Sequence, residues 1–438
     1  MTAWIGEIFS SRSGWNHLET LVDIDHRLAG SDGERQGAEE TADAFERFAR
    51  NVRIETFDVP GWKRGSAGVE ADERTESAIG LPLSPPGKSD GTLLDVGYGL
   101  PSDFEDPDVE GSVVLVRTDV PDWYDRMIHR REKYYRAIQA GAVGFVFQNH
   151  VEGRLPPTGS VGGVDGGVGD IPAVGVSNEV GERLRRRAAG NPVTVSVSAE
   201  LFDGTSQNVH AELGPDTDEE VLVSSHVDAH DIAEGAMDNG AGTAMLIELA
   251  KALSYREDEL ETRVHFIAFG AEEIGLLGSE FDAGKRDLED ISAVINLDGV
   301  VRDRTLSFGT HGFDGLEAVA ERVGDRFDHP IYVTPRQQPH SDHWPYVKWG
   351  VPGYHVSSHT TERGRGWGHT AGDTLDKLEA RTFGEQAILL TELVVEVARE
   401  DVDIEHREPE TVARALEDDG IATGLTVTGD WPYEIPDT

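Results

Sequence analysis

Cysteine is absent from the 438 residues, so neither a disulfide framework nor thiolate metal ligation is open to this chain. Any metal must be held by nitrogen and oxygen. Basic residues are also scarce: 39 Lys and Arg stand against 82 Asp and Glu, and only seven of the bases are lysine. The resulting net charge of -43 disfavours nucleic acid and anionic membrane surfaces as partners through repulsion. No run approaches the ~18 apolar residues of a membrane span. The start, MTAWIGEIFSSRSGWNHLE, lacks a basic stretch followed by an apolar core. A soluble, cytoplasmic protein is expected.

Hydrophobic residues make up 38% of the chain, which supports buried cores and argues against disorder. The acids are spread along the whole sequence rather than gathered in a tail. This pattern suggests a halophilic protein from a salt-rich interior, where screening over a few ångströms removes self-repulsion. The length suggests two domains, one of them possible as an insertion in the other.

Three textures follow one another. Residues 14 to 57 read as a helical lead-in: Ser31 to Glu34 form a capping-box pattern ahead of AEETADAFERFAR, and VRIETFDVP alternates as a strand. Residues 58 to 200 hold short β-runs broken by glycine and proline, with one helix expected over YDRMIHRREKYYRAIQAGA. The glycine-rich PPTGSVGGVDGGVGD lacks the Lys and Ser/Thr of a phosphate cradle and reads as a mobile loop. From 201 to 438 strands and helices alternate (EEVLVSSH, GAGTAMLIELAKALS, RVHFIAFG, SAVINLD, LEAVAERVG, GYHVSS, FGEQAILLTELVVEVARE), which argues for an α/β domain with a mostly parallel sheet covered on both faces. The tail after 401 is acidic and polar and suggests little.

In such sheets functional groups gather just past the carboxyl ends of strands. His226, the pair Glu272 and Glu273, and Asp298 each follow an apolar strand pattern. Asp238 lies in GAMDNGAG and His369 in WGHTAGDTLDKL. One imidazole and two carboxylates hold a divalent metal with an open position, and a shared carboxylate allows two such metals. Five ligands suffice when Asp238 bridges. Glu273 is read as a ligand and Glu272 as the general base beside it. Asp228, two residues after His226, is placed to orient and polarise a metal-bound imidazole, and Asp373 to do the same for His369. Asp238 also fits a helix N-cap.

Other histidines are open to two readings. His230 with Asp231, and His340 with His343, suit either the rim of a site or ordinary loop packing. His17, His26, His129, His150 and His406 stand in no such phrase and are expected to face solvent.

Taken together, these phrases resemble the zinc-dependent aminopeptidases and carboxypeptidases with a co-catalytic dinuclear centre. The likeness covers most of the chain: RLAGSDGERQGAEETADAFERF looks like the lead-in helix, followed by H-x-D, GAMDNGAG, AEEIGLLGS, NLDG, SDHWPYVKWGVPG and HTAGDTLDKL. It implies a three-layer αβα peptidase domain with a mostly parallel mixed sheet. It also implies a β-rich protease-associated domain inserted at 58–200, between residues 1–57 and 201–438. One metal would be bound by His226, Asp238 and Asp298, the other by Asp238, Glu273 and His369, with Glu272 as proton shuttle. Two zinc ions are implied, although carboxylate-rich sites also accept manganese or cobalt. Gly368 stands where some relatives have a tyrosine that helps bind the oxyanion; Tyr354, Tyr346 and His343 are the replacements considered.

The activity expected is hydrolysis of a peptide bond, foremost as an aminopeptidase, with a water activated between the two zinc ions and deprotonated by Glu272. Carboxypeptidase or dipeptidase action uses the same metals but needs a cationic pocket, for which Arg336, Arg363 and Arg365 are near in sequence. A metal-free binding module is the alternative from another class, disfavoured because no ligand is missing. Nothing in the sequence fixes the oligomeric state; a dimer is compatible with it.

Overall fold

The computed structural model describes residues 3–163, 166–361, 366–399, 401–402 and 404–433. Thirteen strands form one continuous sheet: β1 Arg50–Ala71, β2 Arg74–Gly80, β3 Gly87–Asp95, β4 Ser112–Arg117, β5 Gly144–Gln148, β6 Ala173–Val176, β7 Pro192–Leu213, β8 Glu220–His226, β9 Arg263–Phe269, β10 Ile291–Leu297, β11 Leu306–Gly309, β12 Ile331–Thr334 and β13 Gly353–Ser358. Their order is β1-β2-β6-β5-β4-β3-β7-β9-β8-β10-β13-β11-β12, with β1 also paired to β7.

The central strands β9, β8, β10 and β13 are mutually parallel, while β7 and β11 join them antiparallel. Their near-continuous apolar runs have a direct cause. Val264, Phe266 and Ala268 of β9 point into the main core with Val221 and Val223 of β8, while Ile267, Phe269 and Leu222 point to the opposite face. Strands buried on both faces read as unbroken hydrophobic stretches rather than alternating ones. Helices Ser13–Val22, Ala241–Ser254 and Ala380–Val397 cover one face through Leu18, Leu246 and Leu390; Tyr346 and Val351 lie on the other.

The inserted half has its own parallel strands, β3, β4, β5 and β6, and two cores of its own. It grows out of the main domain through β1 and β7, which pair antiparallel from Arg50↔Glu212 to Ala71↔Val193 with irregularities between Arg50 and Arg53 and between Arg64 and Ala67. The boundaries read at 57/58 and 200/201 therefore fall inside two long strands.

Several local expectations need correction. The helix read from Tyr124 begins only at Arg130, because residues 124–129 are irregular, with a single bend at Arg126. Ser31 does cap its helix, accepting from Glu34 N–H at 3.1 Å. Glu34 does not reciprocate toward Ser31; it is buried and accepts from the N–H groups of Gly30 and Ala271. The tail holds helices Pro409–Asp418 and Ala422–Thr428, whose Val412, Leu416 and Leu425 are buried in the main core. None of the five histidines expected in solvent is fully exposed, and His17 is buried. Among the described residues no helix is long and apolar enough to cross a membrane.

Candidate metal centre

All five expected ligands converge past the carboxyl ends of the parallel strands. His226 closes β8, Asp298 follows β10, and Glu272 and Glu273 occupy the loop after β9. Asp238 lies in the turn before helix Ala241–Ser254, joined to Asn239 by a cis peptide bond. It is Asn239, not Asp238, that caps this helix, its Oδ1 accepting from Gly242 N–H at 3.1 Å. Asp238 is thereby left for the cleft. His226 Nε2 stands 3.4 Å from Asp238 Oδ1 and 3.8 Å from Asp298 Oδ1. His369 Nε2 stands 3.0 Å from Asp238 Oδ2 and 3.5 Å from Glu273 Oε2.

The surrounding hydrogen bonds fix these groups. His226 Nδ1–H donates to the Asp228 carbonyl at 3.1 Å, which leaves Nε2 as the ring atom that faces the carboxylates. The two carboxylate oxygens of Asp228 each accept a backbone N–H, from Glu272 and Glu273, both at 3.1 Å. Asp228 thus sets the loop that carries Glu272 and Glu273 as well as lying beside His226. Ser341 Oγ–H donates to Asp298 Oδ2 at 2.6 Å. Asp373 does not serve His369; its oxygens accept the N–H groups of Met237 and Asp238 at 2.8 and 3.0 Å.

Charge is badly balanced here. Burial pushes the Glu272 carboxyl well above its ordinary value, with Glu273, Asp298 and Asp342 adding repulsion against the pull of His226. Burial likewise lifts Glu273 to about 7, Asp342 to about 8 and Asp373 to about 7. For His226, burial favours the neutral ring, but Glu272, Asp228, Asp238 and Asp298 together raise its pKa. Asp298 is held low despite burial, by His226 and His355. His226 Nε2 and Glu273 Oε1 are buried with no hydrogen-bond partner. A crowd of carboxylates with orphaned lone pairs is what a divalent cation resolves, and the nitrogen and oxygen donors suit zinc.

Two compact groups stand out: ligand atoms of His226, Glu272 and Asp298 lie within 4.8 Å of one another, as do those of His230, Glu273 and His369. His230, open to two readings in the sequence, therefore belongs to the centre, with Nε2 2.9 Å from Glu273 Oε2. A third group, Glu55, His210 and Asp282, has its carboxylates already engaged: Arg286 and Tyr346 bond Asp282, and Lys285 bonds Glu55.

Two cavities flank the centre. The larger, about 580 Å³, is lined by Met127, His129, Asp298, Arg302, Arg336 and Leu425 among others; the smaller, about 340 Å³, reaches Glu272, Glu273, Trp344 and Trp431. His129 of the inserted half stacks on His340 between them, ring centroids 4.2 Å apart. The carboxyl-terminal helices, which the acidic tail did not lead us to expect, thus wall the cleft; the hint was the apolar spacing of Val412 and Leu416 after Pro409. The three side chains considered for the oxyanion turn away. Tyr354 O–H donates to the Leu316 carbonyl, Tyr346 to Asp282, and His343 Nε2 faces the Gln338 carbonyl, all within the interior. Arg363 and Arg365 lie outside the described residues, as do Val164 and Asp165 of the glycine-rich loop.

Residues 208–394 match the model of peptidase family M28, and residues 80–184 match that of the PA domain. Aminopeptidase YwaD of Bacillus subtilis is 27% identical over 431 residues, spanning 93% of this chain and 88% of its own. The structure of an aminopeptidase from Aneurinibacillus sp. strain AM-1 superposes with a TM-score of 0.70 at 25% identity, covering 93% of this chain and 99% of that one. That of BSAP, a zinc aminopeptidase from Bacillus subtilis, shares the fold at TM-score 0.69 and 24% identity, over 90% and 98% of the two chains. Residues 208–394 thus carry a peptidase family M28 match, preceded by a PA-domain match at residues 80–184.

Proposed function

We propose that this protein is a zinc aminopeptidase that releases residues from the amino termini of peptides, with Asp238 bridging two metal subsites. His226 and Asp298 complete one subsite, Glu273 and His369 the other. The observation that carries the reading is the disposition of Asp238, one oxygen toward each imidazole. Zinc held there supplies Lewis acidity toward a carbonyl and makes water a nucleophile near neutral pH.

The remaining chemistry falls to the chain. Glu272 lines the smaller cavity and takes the proton of the attacking water, then returns it to the departing amine. Asp228 holds its backbone in place. A free α-amine is matched by the acidic cleft, where Asp125, Asp238 and Asp298 line the larger cavity. Relatives named as aminopeptidases support the same polarity of attack.

One observation favours a second reading. Arg302 and Arg336 also line the larger cavity, and a cationic wall suits the terminal carboxylate of a carboxypeptidase or dipeptidase substrate. Leucine p-nitroanilide, its N-acetyl form and an N-acetylated peptide with a free carboxyl end separate the two. The proposal expects cleavage of the first alone. Release of carboxyl-terminal residues from the blocked peptide would reverse it.

We further propose that the enzyme works in a salt-rich cytoplasm; the charge of -43 supports this, because self-repulsion of that size loosens a compact fold unless it is screened.

A further inference from the structure

His230 is not among the five bridging and flanking ligands, yet it touches two of them. Its ring is 4% exposed, with Nε2 2.9 Å from Glu273 Oε2 and 3.4 Å from His369 Nδ1. It meets the His369 ring edge-on, centroids 4.4 Å apart. A carboxylate only accepts, so Nε2 carries the hydrogen and Nδ1 the lone pair. His230 is therefore placed as a donor toward Glu273.

The inserted half holds that donor from behind. Arg64, on β1 where it enters the insert, bonds both oxygens of Asp231, the residue after His230, from Nε at 3.1 and 2.9 Å. The pair is nearly buried, each side chain 12% exposed. The same guanidinium reaches Thr158 Oγ1 at 3.3 Å, and Thr158 N–H donates to the His369 carbonyl at 2.8 Å. His369 sits at φ +55°, a left-handed conformation that costs a non-glycine residue unless its surroundings enforce it. One arginine thus braces two paths, Asp231–His230–Glu273 and Thr158–His369.

We propose that His230 is a positioning residue for the second metal subsite and that Arg64 holds it there, so that the inserted domain sets the zinc affinity of that subsite. The inference rests on the two-zinc reading above. Groups that fix the orientation of a metal-bound side chain typically change affinity 10- to 100-fold when removed.

The test is a stepwise zinc titration of the metal-free full-length protein against a chromophoric chelator, with circular dichroism to check folding. His226→Ala and His369→Ala identify which step belongs to which subsite. His230→Ala is expected to weaken the His369 step by about 10- to 100-fold and leave the His226 step unchanged. His230→Gln, which keeps an N–H donor, recovers most of that loss. Arg64→Ala weakens the same step by a smaller factor. An unchanged His369 step in His230→Ala, equal weakening of both steps, or a Gln variant no better than Ala overturns the role of His230. An unchanged His369 step in Arg64→Ala overturns the role of the inserted domain. Wild-type protein that takes up fewer than two zinc ions refutes the two-zinc reading instead, before any variant is compared.

Discussion

Asp238 turns Oδ1 to His226 at 3.4 Å and Oδ2 to His369 at 3.0 Å, so a single carboxylate faces two imidazoles that are 143 residues apart in sequence. The arrangement depends on a division of labour with its neighbour. Asn239 caps the helix and also donates to the Leu297 carbonyl, next to Asp298, tying the turn to the strand that supplies another ligand. Asp373 accepts the amides of Met237 and Asp238 from the opposite side.

The proposed mechanism makes Glu272 the base rather than a ligand, although its carboxylate groups with His226 and Asp298. Glu272→Gln should keep about two zinc ions per chain while kcat falls about 10²- to 10⁴-fold, the usual worth of a positioned proton acceptor. Mass-spectrometric metal analysis alongside turnover of an aminoacyl p-nitroanilide measures both. Near wild-type kcat with full metal would remove Glu272 from the mechanism.

Phe266 ties the lead-in helix to the central sheet. It is fully buried on β9 and packs against Phe45 of helix Asp32–Phe45, ring centroids 5.7 Å apart. Phe266→Ala removes that contact and leaves a cavity, so unfolding in urea should show a loss of about 3–5 kcal/mol. A loss below about 1 kcal/mol would mean that the helix docks by other contacts.

Acid sensitivity should come in part from His17. Its ring is buried beside Thr41 Oγ1 at 3.1 Å, and burial, with Arg27 and Arg47, lowers its pKa to about 3. The unfolded chain takes up a proton near pH 6.5 while the folded one stays neutral, so stability falls as pH drops below that value. In metal-free protein, His17→Gln should lessen the stability lost between pH 7 and pH 5 by about 2 kcal/mol. An identical loss in wild type and variant would exclude His17.

If the proposed salt-rich setting is right, a charge of -43 should make stability depend on salt. Raising KCl from 0.1 M to 1 M shortens the screening length from about 10 Å to about 3 Å, and Tm should rise. Calorimetry that finds Tm unchanged would leave the acidity without a stabilising role for salt.

The positions of the ligands can be read in the sequence because parallel strands announce themselves as apolar runs and sites gather at their ends. His226, Glu273 and Asp298 need only that rule. Meetings between segments remote in sequence cannot be read this way. Thr158 beneath His369, His129 against His340, and Leu425 at the cleft wall depend on how the insert and tail fold back, which no local pattern encodes. Asp373 and Glu34 show a related difficulty. Sequence spacing gives each a local partner, but each carboxylate is buried and reaches backbone amides brought in from elsewhere in the chain. The tyrosines that stood in for an oxyanion donor are lost to that role for the same reason: their hydroxyls find partners in the core.

The most direct test is the zinc content of Asp238→Ala beside the wild type, both folded by circular dichroism and dialysed against the same zinc-buffered solution. A shared ligand belongs to both subsites, so the wild type should hold about two ions per chain and the variant fewer than one. Two ions retained in the variant would contradict the bridge.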